Sequence, residues 1–226
     1  MPNSIGTLFE QYENIYFSPS FSNYFESLKT SSDASDAKKK QKGEYFDSNF
    51  SYGLTLNKLN QNFQPSSGSK SSFYQTIPIY SEDFSFTNTF NYAKYFSPNE
   101  NAIISIRFLG QAINSLSGDD VRISKRVYLP GKRLKGFEYG KIGPKDGADY
   151  VGGNYATSFN FTTTLPGLFT NLENFDFSLF FDAGNVWGVD YSDLISENSK
   201  VRSSTGLAID WFTPIGPLSF SVSQPI

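Results

Sequence analysis

Cysteine and histidine are both absent from this chain of 226 residues, and methionine occurs once. Without cysteine there is neither a disulfide framework nor a thiolate metal site, and without histidine the usual general base and the commonest metal ligand are gone. Triad and zinc-hydrolase chemistries are thereby set aside. No apolar run is long enough for a transmembrane helix, and the opening residues Met1-Pro2-Asn3-Ser4-Ile5-Gly6 lack the basic segment and apolar stretch of a signal peptide. Taken alone, those absences describe a soluble protein, but a transmembrane β-barrel escapes the argument because its strands alternate apolar and polar residues. Charge is scarce too. Charged residues make up 18% of the chain and the formal net charge is −3, which leaves no general basic surface to hold nucleic acid.

What the chain has instead is aromatic surface: 23 Phe and 14 Tyr, side chains that suit a pleated sheet better than a helix. Period-two alternation recurs in segments of about ten residues, the length a tilted strand needs to cross a bilayer. Phe175, Phe177, Leu179, Phe181, Ala183 and Trp187 alternate with Asp176, Ser178, Asp182 and Gly184. Leu207, Ile209 and Trp211 stand opposite Ser204, Gly206, Ala208 and Asp210, and Leu218, Phe220 and Val222 opposite Ser219, Ser221 and Ser223. The same pattern runs through residues 84–92, 104–111 and 155–165, and more weakly through 15–25, 45–57 and 71–80. About nine strands are expected.

The polar faces are mostly Ser, Thr, Asn and Gly, which can line a wet lumen, rather than the Lys and Glu of a solvated outer surface. A membrane barrel fits that composition better than a soluble β-sandwich. Tyr45, Phe46, Tyr95, Phe96, Trp187, Trp211 and Phe212 fall at strand ends, where interfacial girdles of aromatics sit. Connections 64–69, 97–101, 165–174 and 213–216 are short, whereas 27–43, 115–154 and 188–200 are long. The two sets fall on alternate ends of the strand series, as a meander across a membrane requires, with the tight connection 81–83 the exception on the long-loop end. The lysine run Lys38, Lys39, Lys40 and Lys42 is read as a solvated external loop in preference to a nucleic-acid or lipid patch.

The longest connection carries Leu134-Lys135-Gly136-Phe137, then Ile142-Gly143-Pro144-Lys145-Asp146-Gly147 and Val151-Gly152-Gly153-Asn154; Phe181-Asp182-Ala183-Gly184 follows in a strand. A structureless loop of that length usually has a function. These four elements, in this order, resemble the BamA-type family of outer-membrane barrels that insert other barrel proteins. The resemblance implies an all-β fold: an incomplete transmembrane antiparallel meander, about nine strands of a sixteen-stranded barrel, with a long loop inserted into the lumen. Residues 1–226 would form one partial barrel domain covering strands seven to fifteen. The signal peptide, the periplasmic domains and the closing strand would lie outside the chain.

The same resemblance implies a lock. Leu134-Lys135-Gly136-Phe137 corresponds to a loop signature whose usual arginine is Lys135 here, and its acidic partner in the lumen would be Asp182, with Gly184 in the same strand motif. Gly136 would allow tight backbone packing and Phe137 would anchor the tip, while Gly143, Pro144, Gly152, Gly153 and Asn154 would close the loop into the next strand. Lysine cannot make arginine's two-toothed contact, so Arg133 is a candidate to share the lock. A second acid has no counterpart, since Phe159-Asn160-Phe161-Thr162 is neutral. The implied function is assembly of outer-membrane proteins, without catalysis or cofactor. Its implied partners are unfolded outer-membrane proteins, assembly lipoproteins, and the lipid and lipopolysaccharide of the bacterial outer membrane, with no nucleic acid.

Related barrels that export a polypeptide, of the translocation-and-assembly or two-partner secretion type, share the expected fold. A soluble β-sandwich binding module is the alternative of a different class. The clustered acids Asp119-Asp120 and Asp146 to Asp149 lack a paired base, and a glycosidase would need two converging carboxylates.

Overall fold

The computed structural model describes residues 3–118, 120–168, 174–189 and 199–226. In chain order the strands are β1 Asn3–Gly6, β2 Phe9–Tyr12, β3 Ile15–Leu28, β4 Gly43–Leu59, β5 Gly68–Tyr80, β6 Ser85–Asn99 and β7 Ala102–Ser115. After the long loop come β10 Tyr155–Pro166, β11 Phe175–Trp187, β12 Arg202–Thr213 and β13 Gly216–Pro225, with the two-residue pair β8 Lys145–Asp146 and β9 Asp149–Tyr150 inside the loop. The one α-helix among the described residues, α1 Asp36–Lys40, sits in the connection after β3. No helix of the described residues is long and apolar enough to cross a membrane.

All the long strands belong to one antiparallel meander in the order β1-β3-β4-β5-β6-β7-β10-β11-β12-β13, with β2 also paired to β3. Because β1 and β2 pair with successive stretches of β3, they act as one interrupted strand, and the sheet has eleven strands in ten positions. The nine expected strands are all present; residues 3–12 add a tenth position that periodicity missed. Among the described residues no ladder joins β13 back to β1, so the sheet is open.

Burial is inverted relative to a soluble protein. Leu179 and Leu207, paired across β11 and β12, are 53% and 60% exposed, while Asn160, Asp182 and Ser204 are 0% exposed. Apolar side chains pair across strands on the outer face, as with Phe161 opposite Phe181 and Phe175 stacked on Trp211 at 5.5 Å. Such an outer face is stable against lipid and would be a large aggregation-prone patch in water. The soluble sandwich is excluded on this ground. Tyr45 and Tyr95 do not join the outer girdle: both lie on the inner face, Tyr45 beneath the Arg122 guanidinium and Tyr95 lining a lumen cavity of about 380 Å³. Counting from Phe46 and Phe96, which point outward, puts each tyrosine one residue off the outer parity.

Candidate functional site

Residues 116–154 carry Val127, Leu129, Leu134 and Ile142, which a solvated external loop would leave in water. They pack instead on Leu109, Ile113, Ala156 and Val186 of the inner wall, and Phe137 adds to this cluster. Each fully buried side chain of that kind is worth roughly 1.5–3 kcal/mol, so the inward fold of the loop is driven by apolar contact along its length. Its neck is closed by a bridge: Val127 N–H donates to Gly153 O at 2.8 Å and Gly153 N–H returns to Val127 O at 3.2 Å. A side chain at Gly153 would collide with the Trp187 backbone. Asn154 splices the loop to the wall, donating to Gly188 O at 2.7 Å and accepting from Ile113 N–H at 2.8 Å. Gly143 lies against Val186, Gly152 against the Tyr128 ring, and Gly184 beneath Leu129, while Pro144 is fully buried.

At the tip, the Lys135 ammonium donates to Asp182 Oδ2 at 2.8 Å and the Lys135 backbone N–H donates to the same oxygen at 3.2 Å. Asn160 Nδ2 donates to the other oxygen, Oδ1, at 2.7 Å and to Arg133 O at 2.8 Å. The Lys135 ammonium also sits 3.9 Å from the centre of the Phe180 ring. Gly136 takes φ +86°, and a Cβ there would meet Ser223 Oγ of β13 at 2.9 Å, so a side chain is opposed by both conformation and space. Arg133 does not share the lock with Asp182. Its guanidinium donates to Asn160 Oδ1 at 3.3 Å and Asn91 Oδ1 at 3.0 Å. Asn160, from the neutral stretch Phe159-Asn160-Phe161-Thr162, links the loop backbone to the carboxylate.

A second charged cluster went unnoticed in the sequence. Arg122 pairs with Asp47 of β4, with Glu26 of β3 at 3.4 Å and with Asp83 of the β5–β6 connection at 3.7 Å, and its guanidinium lies 4.1 Å from the Tyr45 ring centre. Lys125 reaches Asp47 at 2.9 Å and Asp83 at 2.8 Å. Ser81 donates to Asp47 as well. The Arg122 and Asp47 side chains are 2% and 1% exposed. In a chain this poor in charge, Asp47 on a lumen parity and Arg122 in a loop were the readable signals. At the outer rim, Asp149 accepts from Ser35 N–H at 3.0 Å and pairs with Lys38 at 3.0 Å. The Ser35 N–H first, and then Lys38, hold its carboxyl below the ordinary carboxylate range. Asp119 and most of the connection 188–200 lie outside the described residues.

An antiparallel meander with an apolar outside, a polar inside and a long loop held in that inside is the wall of a transmembrane β-barrel. The Omp85 superfamily domain matches residues 4–226, and the chain belongs to that superfamily of outer-membrane barrels. It is 27% identical over 199 residues, 86% of this chain and 27% of the relative, to the outer membrane protein assembly factor BamA of Neorickettsia risticii (strain Illinois). A SAM50-like protein of Schizosaccharomyces pombe is 32% identical over 126 residues, which are 51% of this chain and 26% of that protein. BamA of Neisseria meningitidis serogroup B is 30% identical over 121 residues, 41% of this chain and 15% of its own. The crystal structure of BamA from Haemophilus ducreyi lacking POTRA domains 1–3 superposes with a TM-score of 0.81 at 22% identity, covering 100% of this chain and 50% of that one. The chain therefore spans about a quarter or less of the curated relatives it matches and half of that solved structure.

Proposed function

We propose that this chain supplies the barrel wall and lumen loop of an outer-membrane protein assembly factor, with unfolded outer-membrane proteins as its substrates and assembly lipoproteins and outer-membrane lipid and lipopolysaccharide as its surroundings. The ten-position sheet is then one part of a larger closed barrel, the strand at residues 3–12 extending the expected span to strands six to fifteen. No covalent step is involved. A barrel that inserts others must let one seam part so that a substrate strand can add to an exposed edge by backbone hydrogen bonding, while the rest of its wall keeps its curvature. The observation that carries the reading is the Lys135–Asp182 pair at 2.8 Å, which fastens a loop from outside the wall to the inner face of β11. Leu134, Gly136 and Phe137 set the approach of that lysine, and Gly143, Pro144, Gly152, Gly153, Asn154 and Gly184 shape the path of the loop.

The test is depletion of the full-length protein from its own cell, followed by the folded yield of other outer-membrane barrels in membrane extracts. Yields should collapse, return with the unaltered protein, and return only in part with Asp182→Ala. Unchanged yields after depletion would remove the assembly function altogether; full rescue by Asp182→Ala would remove the lock while leaving the function standing.

A further inference from the structure

The loop is fastened in two places, and these lie on different stretches of the wall. Arg122 and Lys125 hold β3, β4 and the β5–β6 connection, whereas Lys135 and Arg133 hold β11, β10 and β6. In the sheet order, β4 and β11 are five positions apart, an arc of about 24 Å at ~4.8 Å per strand. We propose that the Arg122 cluster is a second pin, that the loop is a cross-brace spanning the concave face of the sheet, and that Arg122 is the positioning residue that determines where the Lys135 tip lands.

Three observations carry this. First, the pin is built to be permanent: Arg122 and Asp47 are almost wholly buried, and a buried charge left without its partner is strongly unfavourable. Second, one guanidinium stands at ion-pair distance from carboxylates of three separate elements, hydrogen-bonding Asp47 and facing Glu26 and Asp83 across longer gaps, a spread that suits a planar, extended cation better than the compact ammonium of lysine. Third, little slack separates the pins. Between them run the 3₁₀ turns Ile123–Lys125 and Gly131–Arg133, the Val127–Gly153 bridge, and Leu129 and Leu134 packed on the wall. Opening the curvature of the sheet would lengthen the chord between the pins, and a short strap fixed at both ends opposes that. Releasing either pin should free the middle of the strap. The inference concerns the loop and the wall alone and stands whatever the barrel assembles or exports.

Ser158 reports on this, being 2% exposed on the inner face of β10, paired with Gly184 and close to Leu129 of the strap. The experiment is Ser158→Cys as the sole cysteine in the full-length protein, reconstituted in lipid vesicles and challenged with a charged maleimide. The parent should resist labelling. Adding Arg122→Ala should speed labelling roughly tenfold or more, as expected for a local opening, with heat-modifiable gel mobility retained. Arg122→Lys should fall between the two, because charge is kept and the three-way contact is lost. Should Arg122→Ala fail to form a heat-modifiable barrel, the near-isosteric Asp47→Asn is measured in its place, with a smaller acceleration in the same direction. The proposal is overturned if the folded variant protects Ser158→Cys as well as the parent does while Lys135→Met exposes it, since the tip would then hold without the second pin. It is equally overturned if Arg122→Lys labels as fast as Arg122→Ala.

Discussion

The two pins solve one problem with opposite chemistry. At the Arg122 pin, Arg122 and Lys125 meet Glu26, Asp47 and Asp83, so carboxylates outnumber cations. At the tip, Lys135 meets one acid, Asp182, which Asn160 also holds, while Arg133 meets only the amides of Asn160 and Asn91. Each pin sets a partly exposed lysine on a buried acid, Lys125 on Asp47 and Lys135 on Asp182, both lysines 19% exposed, so the pins differ in the number of charges and in the buried guanidinium of Arg122. A dense ionic cluster built on a buried guanidinium suits a permanent attachment. A single pair filled out with neutral amides suits an attachment that can be released at modest cost.

That contrast breaks most visibly at Arg122. Arg122→Ala leaves Asp47 and Asp83 with Lys125 as their one cation and Glu26 with none among the described residues, and should lower the unfolding free energy of the full-length protein by about 3–5 kcal/mol, read as the denaturant midpoint of the heat-modifiable band. A loss no larger than that of a surface substitution would end the argument for a permanent pin. The tip should respond less, and asymmetrically. Lys135→Met strands a fully buried carboxylate with only Asn160 and one backbone N–H, costing about 2–3 kcal/mol, whereas Asp182→Asn removes the buried charge, keeps an acceptor for both Lys135 donors and loses only the hydrogen bond from Asn160 Nδ2, which its own NH2 would face, and should cost about 1–2 kcal/mol. If Asp182→Asn proved the more damaging, the stranding of a buried charge would not be what sets the cost.

The sheet was legible because its physics is local. Each strand residue faces either lipid or lumen, so Leu179 and Ser178 announce their sides without reference to any neighbour. Residues 3–12 were overlooked because Gly6 and Thr7 interrupt the alternation, and a strand split between β1 and β2 shows too few periods to count. Tyr45 and Tyr95 were misassigned by residue type: being aromatic near a strand end says nothing of parity, and parity governs. The tip was readable only through its motif, since Lys135 and Asp182 are 47 residues apart. The Arg122 pin had no such motif: Asp83 and Asp47 stand 39 and 75 residues from Arg122, Glu26 stands further still, and no period joins them. The apolar patch on an otherwise polar face, Leu109, Ile113 and Val186, was the overlooked sign that the loop lies inside.

Finer probes sharpen the difference between the pins. Lys135→Arg should change stability by no more than about 1 kcal/mol, because a guanidinium can stack on Phe180 and reach Asp182 with two donors. A large loss would mean that the tip, like the Arg122 pin, tolerates one cation only.

The smallest expected effect lies at the rim, where Asp149 ties the long loop to the β3–β4 connection outside the bilayer. Its carboxyl is lowered by the Ser35 N–H and then by Lys38, so the unfolded rim binds the proton more readily than the folded one. The contact therefore contributes stability above the ordinary carboxylate range, near pH ~3.9, and loses it as pH falls through the lower folded value. With its side chain 33% exposed, Asp149 is well screened by solvent. Amide exchange across residues 29–42, corrected for intrinsic rates, should lose protection in acid while the strands keep theirs. Asp33 in the same connection is also lowered, by the Ser31 hydroxyl, so the decisive comparison is Asp149→Asn, which should flatten the acid response. A variant that kept the full response would transfer the effect to Asp33 and leave the rim contact without a part in holding the loop.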